Sequence, residues 1–186
     1  MRLSFLCLLL IGQLSCGTSP DTAVVTIPLE DVDLSTLNIN KSNASIYISK
    51  SNYEISLLEN GKILKTWKMV LGFNPTDDKW RQGDGCTPEG NFRVRDLYPH
   101  SAWSKFIWIE YPNEESRKKH AWAKSEGLIP EDAKIGGEVG IHGTPIGAED
   151  WIDQNLNWTL GCVSLTNDAV DELYKYIQKG TPIQIE

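Results

Sequence analysis

The chain has 186 residues, 40% hydrophobic and 23% charged, with a formal net charge of −7 at pH 7. That length holds one compact domain once the N-terminus is set aside. The longest basic run, Arg117-Lys118-Lys119, follows Glu114-Glu115 and reads as a solvated helix face. The clustered cationic surface that phosphate neutralisation needs is lacking, so no nucleic-acid partner is expected.

The first sixteen residues differ from the rest. Arg2 supplies a short positive region, and Leu3 to Leu14 is almost wholly apolar apart from Ser4 and Gln13. The run is too short to span a bilayer and reads as a secretory signal over residues 1–16. It ends in Leu14-Ser15-Cys16, which resembles a lipoprotein cleavage site, although Gln13 stands where an aliphatic residue is usual. Lipidation at Cys16 is favoured over plain cleavage of a signal that merely contains cysteines, as Cys7 shows this one does. Removal through Cys16 takes away one basic residue, leaving 17 basic against 25 acidic. The expectation is an exported protein of the periplasm or cell envelope, touching the membrane only through an N-terminal lipid. Residues 17–43, rich in Thr, Ser, Asp, Asn and Pro, read as a tether to a folded domain over 44–186. Cys86 and Cys162 are the cysteines of that domain. In an oxidising compartment they could pair, which would count against a nucleophile at Cys162.

From Ala44 the pattern is strand-like. Ser45-Ile46-Tyr47-Ile48-Ser49 alternates polar and apolar residues, and Asn60-Gly61 predicts a hairpin turn between Tyr53–Leu58 and Ile63–Leu71. Asn91 to Arg95 alternates again, Phe106 to Tyr111 is a short aromatic strand, and Glu114 to about Lys124 is a candidate helix. Val139-Gly140-Ile141 runs directly into His142. Val170, Leu173, Tyr174 and Ile177 fall at helical spacing behind the capping run Thr166-Asn167-Asp168. Gly180 and Pro182 stop that helix, and Pro182 to Ile185 returns as a strand. Many strands and few helices predict a mostly-β domain without βαβ units.

Two segments carry chemistry: Ile141-His142-Gly143-Thr144-Pro145 and Trp158-Thr159-Leu160-Gly161-Cys162-Val163-Ser164-Leu165. A thiol attacks a carbonyl as thiolate, and an adjacent imidazole is the usual base. Gly161 permits a tight turn that would aim the amides of Gly161 and Cys162 at a tetrahedral oxygen. His142 precedes Cys162 by 20 positions, the reverse of papain-like enzymes, and sortases need a downstream Arg, whereas no Arg follows Arg117. Taken singly, a buried Cys is usually an inert hydrophobe and a lone His structural. Cys162, His142, Cys86 and His120 show none of the paired spacings of zinc sites, so no metal is expected. His100 reads as a surface-turn residue, and Trp67 and Trp108 as core. Trp122, Trp151 and Trp158 flank the two motifs, as core or as groove lining. The long segment from Asn113 to Glu138 is a candidate lid.

Taken jointly, these motifs resemble the L,D-transpeptidase catalytic-domain family (YkuD-like). His142-Gly143-Thr144 and Thr159-x-Gly161-Cys162, with 16 residues between His142 and Thr159, match its signature in residue type and gap. Gly72-Phe73-Asn74-Pro75, Asp78-Lys79, Gly83-Asp84 and Thr87-Pro88-Glu89-Gly90 are similar to the family's upstream loop. The resemblance spans roughly Ala44 to Glu186 and implies a β-sandwich or barrel acting on peptidoglycan stem peptides without a cofactor. It also implies that Cys162 attacks the L,D bond after the position-three diamino acid, with His142 as base oriented by a backbone carbonyl. Gly143 and Thr144 would shape that neighbourhood and Thr159 would place the cysteine loop. Most members have His in place of Leu160, and Arg or Asn in place of Ser164. Gly161 to Asn167, with the Asp78 to Gly90 loop, is more similar to the subgroup containing a peptidoglycan–lipoprotein amidase. The acceptor, amine or water, therefore stays open, as does a non-catalytic peptidoglycan-binding lipoprotein.

Overall fold

The computed structural model describes residues 32–186. The signal segment, Cys16 and residues 17–31 lie outside them. Strand β1 (Ala44–Ser49) buries Ala44, Ile46 and Ile48, the alternation its sequence predicts. It pairs antiparallel with β2 (Glu54–Glu59), which turns into β3 (Lys62–Lys68). Asn60 and Gly61 form that turn with φ of 50° and 79°. Positive φ at both central residues matches the right-handed twist of the paired strands, and Asn and Gly adopt it at least cost.

The chain's last strand sits at the centre. Strand β8 (Pro182–Ile185) runs parallel to β1 and antiparallel to β4 (Gly90–His100). Beyond them lie β5 (Ser104–Ile109), β6 (Gly140–Gly143) and β7 (Val163–Leu165). The full order is β3-β2-β1-β8-β4-β5-β6-β7. Past the end of β3, Val70 exchanges two backbone hydrogen bonds of 2.8 Å with Ser164 of β7. The first and last strands of the sheet thereby meet, and the sheet is nearly a closed barrel. Ile46, Leu57, Val94, Ile107, Ile141 and Leu165 are among its buried side chains.

Helix α1 (Glu114–Ser125) starts at Asn113, whose side chain accepts from the Ser116 amide at 2.9 Å. A single turn, α2 (Asp150–Asp153), precedes the cysteine loop. Helix α3 (Asn167–Tyr174) is capped by Thr166 and lays Ala169, Val170 and Leu173 against β5 and β6.

Helix α3 ends at Tyr174, short of the expected stop at Gly180, and β3 ends at Lys68, short of Leu71. Three further details differ from the expectations. Within the stretch read as tether, Leu34 is fully buried in the core and Val32 and Ile39 pack against it, so residues from Val32 onward belong to the packed body. A few apolar side chains vanish in the average composition of a polar segment. Strand β4 runs on to His100, past the predicted Arg95, because β5 pairs along its length up to His100↔Ser104. Trp108 is only half-buried: it lies under the Arg95 guanidinium at 5.3 Å, and its indole N–H donates to the Tyr98 hydroxyl.

Candidate active site

The sheet register brings the two motifs together. His142 of β6 is paired with Phe106 on one side and Ser164 on the other, and Cys162 directly precedes β7. Both open on a cleft of about 780 Å³, lined also by Lys79, Trp103, Glu138 and Trp158.

His142 is 2% exposed. Its Nδ1 lies 2.7 Å from the Gly143 carbonyl oxygen, which can only accept. Nδ1 therefore carries the proton, and Nε2 is left as an acceptor. Trp103 stacks on the imidazole at 4.5 Å and 25°, Phe106 lies parallel at 5.8 Å, and Trp158 meets it edge-on at 5.5 Å. Burial among these rings pushes the imidazolium down to about 4, against the raising effect of the Gly143 carbonyl and with a smaller push from His100. The imidazole is thus held neutral near pH 7.

Cys162 is half-buried, and its Sγ donates weakly to the Glu138 carbonyl at 3.5 Å. Burial pushes the thiol up to about 11. The Gly140 amide and the Lys79 charge pull it back, and Glu138 adds to the rise. Cys86 is also a free thiol, so the pairing left open by the sequence is not formed here.

The loop before Cys162 is held from inside. Thr159 Oγ1 donates to the Cys162 carbonyl at 2.7 Å and accepts from the Gly161 amide at 3.1 Å. The Gly161 amide is therefore occupied and does not aim at a tetrahedral oxygen as its sequence position suggests. The Cys162 amide has no partner among the described residues and remains the loop's donor. Gly161 acts through its missing side chain: its φ is +135°, and a Cβ would lie 2.5 Å from the Cys86 carbonyl oxygen. Gly143 is equally confined, since a Cβ would stand 2.1 Å from Asn167 Oδ1. Its carbonyl receives both His142 Nδ1 and the Ser164 hydroxyl, the latter at 3.4 Å. Thr144 is fully buried, its hydroxyl without a partner among the described residues, and stands outside the cleft lining.

Of the other candidates, Trp158 lines the cleft and Trp151 supports it edge-on at 5.6 Å. Trp122 lies on α1, 53% exposed, against Trp80. The 113–138 segment reaches the cleft only through Gly136, Gly137 and Glu138. His120 bonds the Trp80 carbonyl at 2.6 Å, and His100 stacks on the outer face of Trp103 at 4.5 Å. Among the described residues no group of His, Cys, Asp and Glu could hold a metal ion. Trp103 was invisible to sequence reasoning because it sits in a turn, beside His142 only through the β4–β5 and β5–β6 pairings. Lys79 carried a signal, its six-residue frame with Gly83-Asp84, but no local pattern tied it to the cysteine.

The nearly closed β sheet places a histidine of β6 and the cysteine just before β7 in one cleft. The model of the YkuD family, the L,D-transpeptidase catalytic domain, matches residues 43–185, and the chain belongs to that family. Among solved structures it is similar to Bd1075 of Bdellovibrio bacteriovorus (22% identity, TM-score 0.54, 77% of this chain and 48% of that one). It is similar also to the helical cell shape determining protein Pgp2 of Campylobacter jejuni (21% identity, TM-score 0.55, 77% and 47%). A mutant of the Enterococcus faecium L,D-transpeptidase shares the fold at 16% identity (TM-score 0.51, 80% and 50%). The chain spans about half the length of these three proteins. No curated protein matches it in sequence.

Proposed function

We propose that this protein is a cysteine peptidyl-transferase of the cell envelope acting on peptidoglycan stem peptides, with Cys162 as nucleophile and His142 as base. The observation that carries the reading is the pinned imidazole. With Nδ1 donating to the Gly143 carbonyl, Nε2 is the lone acceptor of a neutral ring in the same cleft as the Cys162 thiol.

Burial keeps both groups neutral at rest, so the thiol proton passes to Nε2 as sulfur attacks the carbonyl carbon. The Cys162 amide donates to the developing oxyanion. The C–N bond then breaks, the departing D-residue takes the proton from the imidazolium, and a thioester remains on Cys162. An acceptor amine loses its proton to Nε2, attacks the thioester and frees the thiol, giving a 3–3 cross-link or an attached protein.

Hydrolysis by the same thioester, as an L,D-carboxypeptidase or a peptidoglycan–lipoprotein amidase, is the second reading. It is favoured by Leu160, 74% exposed at the cleft, and by the small buried Ser164, where most family members carry basic or amide groups. Export with a lipid on Cys16 completes the proposal, and a mature N-terminus elsewhere than Cys16 would remove that part.

The test is covalent capture. Reduced wild-type protein should take up one carbapenem at Cys162, read by peptide mass, and Cys162→Ala should take up none. An unmodified wild type would leave a non-catalytic peptidoglycan-binding lipoprotein. Muropeptides with an added amine acceptor then separate the two reactions: free D-Ala without cross-linked dimer means hydrolysis.

A further inference from the structure

The loop between β3 and β4 passes behind the cysteine loop and is organised around the buried Lys79 and the half-buried Asp84. Lys79, with a side chain 3% exposed, is ion-paired to Asp84 at 2.7 Å. Asp84 also accepts the backbone amides of Trp80, Arg81 and Cys86 at 2.9, 2.9 and 3.1 Å. The ammonium donates to the Cys86 carbonyl at 3.3 Å, and this is the oxygen on which Gly161 rests. Lys79 Nζ itself would stand 3.4 Å from a Gly161 Cβ, and Lys79 lines the cleft beside Cys162.

That placement answers a need the dyad leaves open. His142, walled by rings, begins neutral, so no standing imidazolium supports a negative charge on sulfur or on the carbonyl oxygen. The groups around Cys162 are His142 from β6, Glu138 ahead of it, and the Lys79–Asp84 pair behind the loop. Of these, Lys79 is the lysine, ion-paired with Asp84.

We propose that Lys79 is a positioning residue for the nucleophile. Clamped by Asp84 and the Cys86 carbonyl, it fixes the floor under Gly161 and supplies the buried positive charge that stabilises negative charge developing at Cys162. The role deepens the peptidyl-transferase reading and rests on it for its meaning, but its test does not. Lys79 lowers the pKa of the Cys162 thiol, which agrees with the geometry.

The experiment measures iodoacetamide alkylation at Cys162 against pH, read by peptide mass, in the wild type, Lys79→Met and Lys79→Arg. A merely structural lysine would not move the midpoint of this profile in a folded variant. Lys79→Met should raise the midpoint by about one pH unit, and so slow alkylation about tenfold at any pH below it. Lys79→Arg should restore it. A folded Lys79→Met whose profile overlays the wild type overturns the proposal. Should Lys79→Met fail to fold, Asp84→Asn decides: an uncompensated Lys79 should lower the midpoint, and an unchanged or raised one overturns the proposal. The outcomes remain separable from those above. A wild type that resists carbapenem sinks the transferase reading without touching this profile, and a capture-competent protein with an unaltered Lys79→Met profile sinks the Lys79 role alone.

Discussion

The two walls of the cleft are built from opposite materials. Behind His142 stand rings: Trp103, Phe106 and Trp158 touch the imidazole, and His100 extends the stack outward. Behind the Cys162 loop stands an ion pair, Lys79 with Asp84 at 2.7 Å. The contrast teaches how one cleft can give two neighbouring groups different electrostatic surroundings. The apolar wall keeps the imidazole neutral, with its lone pair free but less basic, and the ionic wall sets a charge beside the thiol.

The largest break of this division removes the imidazole proposed as base. His142→Gln should lower carbapenem acylation of Cys162 by on the order of 10²–10⁴-fold with the fold intact, measured by stopped-flow fluorescence. A loss under tenfold would mean that another group takes the proton.

The ring wall can be probed through stability next. A folded pKa of about 4 against 6.5 unfolded means that the unfolded chain binds more protons between those values. Stability from this group is complete above pH 6.5 and is lost as pH falls toward 4, on the order of 3 kcal/mol in total. Urea unfolding should show that extra loss in the wild type relative to His142→Gln. Parallel pH slopes would show that the rings do not depress the imidazole.

The smallest effect sharpens the ionic wall. Gly161→Ala puts a Cβ against the Cys86 carbonyl at a φ of +135°, costing about 2 kcal/mol of strain and contact. The variant should melt lower and alkylate at Cys162 with an altered pH midpoint. A variant that melts like the wild type would show that the cysteine loop does not rest on this floor.

Much of the fold was legible locally. Alternation in Ser45–Ser49 placed β1, Asn60-Gly61 placed the first hairpin, and Thr166 with Val170 and Leu173 placed α3. These signals work because backbone geometry and side-chain period act within a few residues. The pairing of His142 and Cys162 was legible as motif and gap, and the two do share a cleft. Less legible was the work of each loop group. Gly161 looked like an oxyanion donor from its place beside the nucleophile, but Thr159 Oγ1 takes its amide. Trp108 looked like core from its strand, yet it faces outward beneath Arg95.

The sequence by itself determined most of the strands, the Thr166 cap, the mostly-β class and the pairing of the His142 and Cys162 motifs, since each is written in neighbouring residues or in a fixed gap. Only the tertiary structure decided what stands behind that pair. Trp103 reaches His142 through the pairings of β5 with β4 and β6, and Lys79 reaches Gly161 through the Cys86 carbonyl, 75 positions away in the chain. Contacts of that kind depend on strand order and sheet closure, which no local pattern encodes. They also set the dielectric and charge around each reacting group, and hence its protonation.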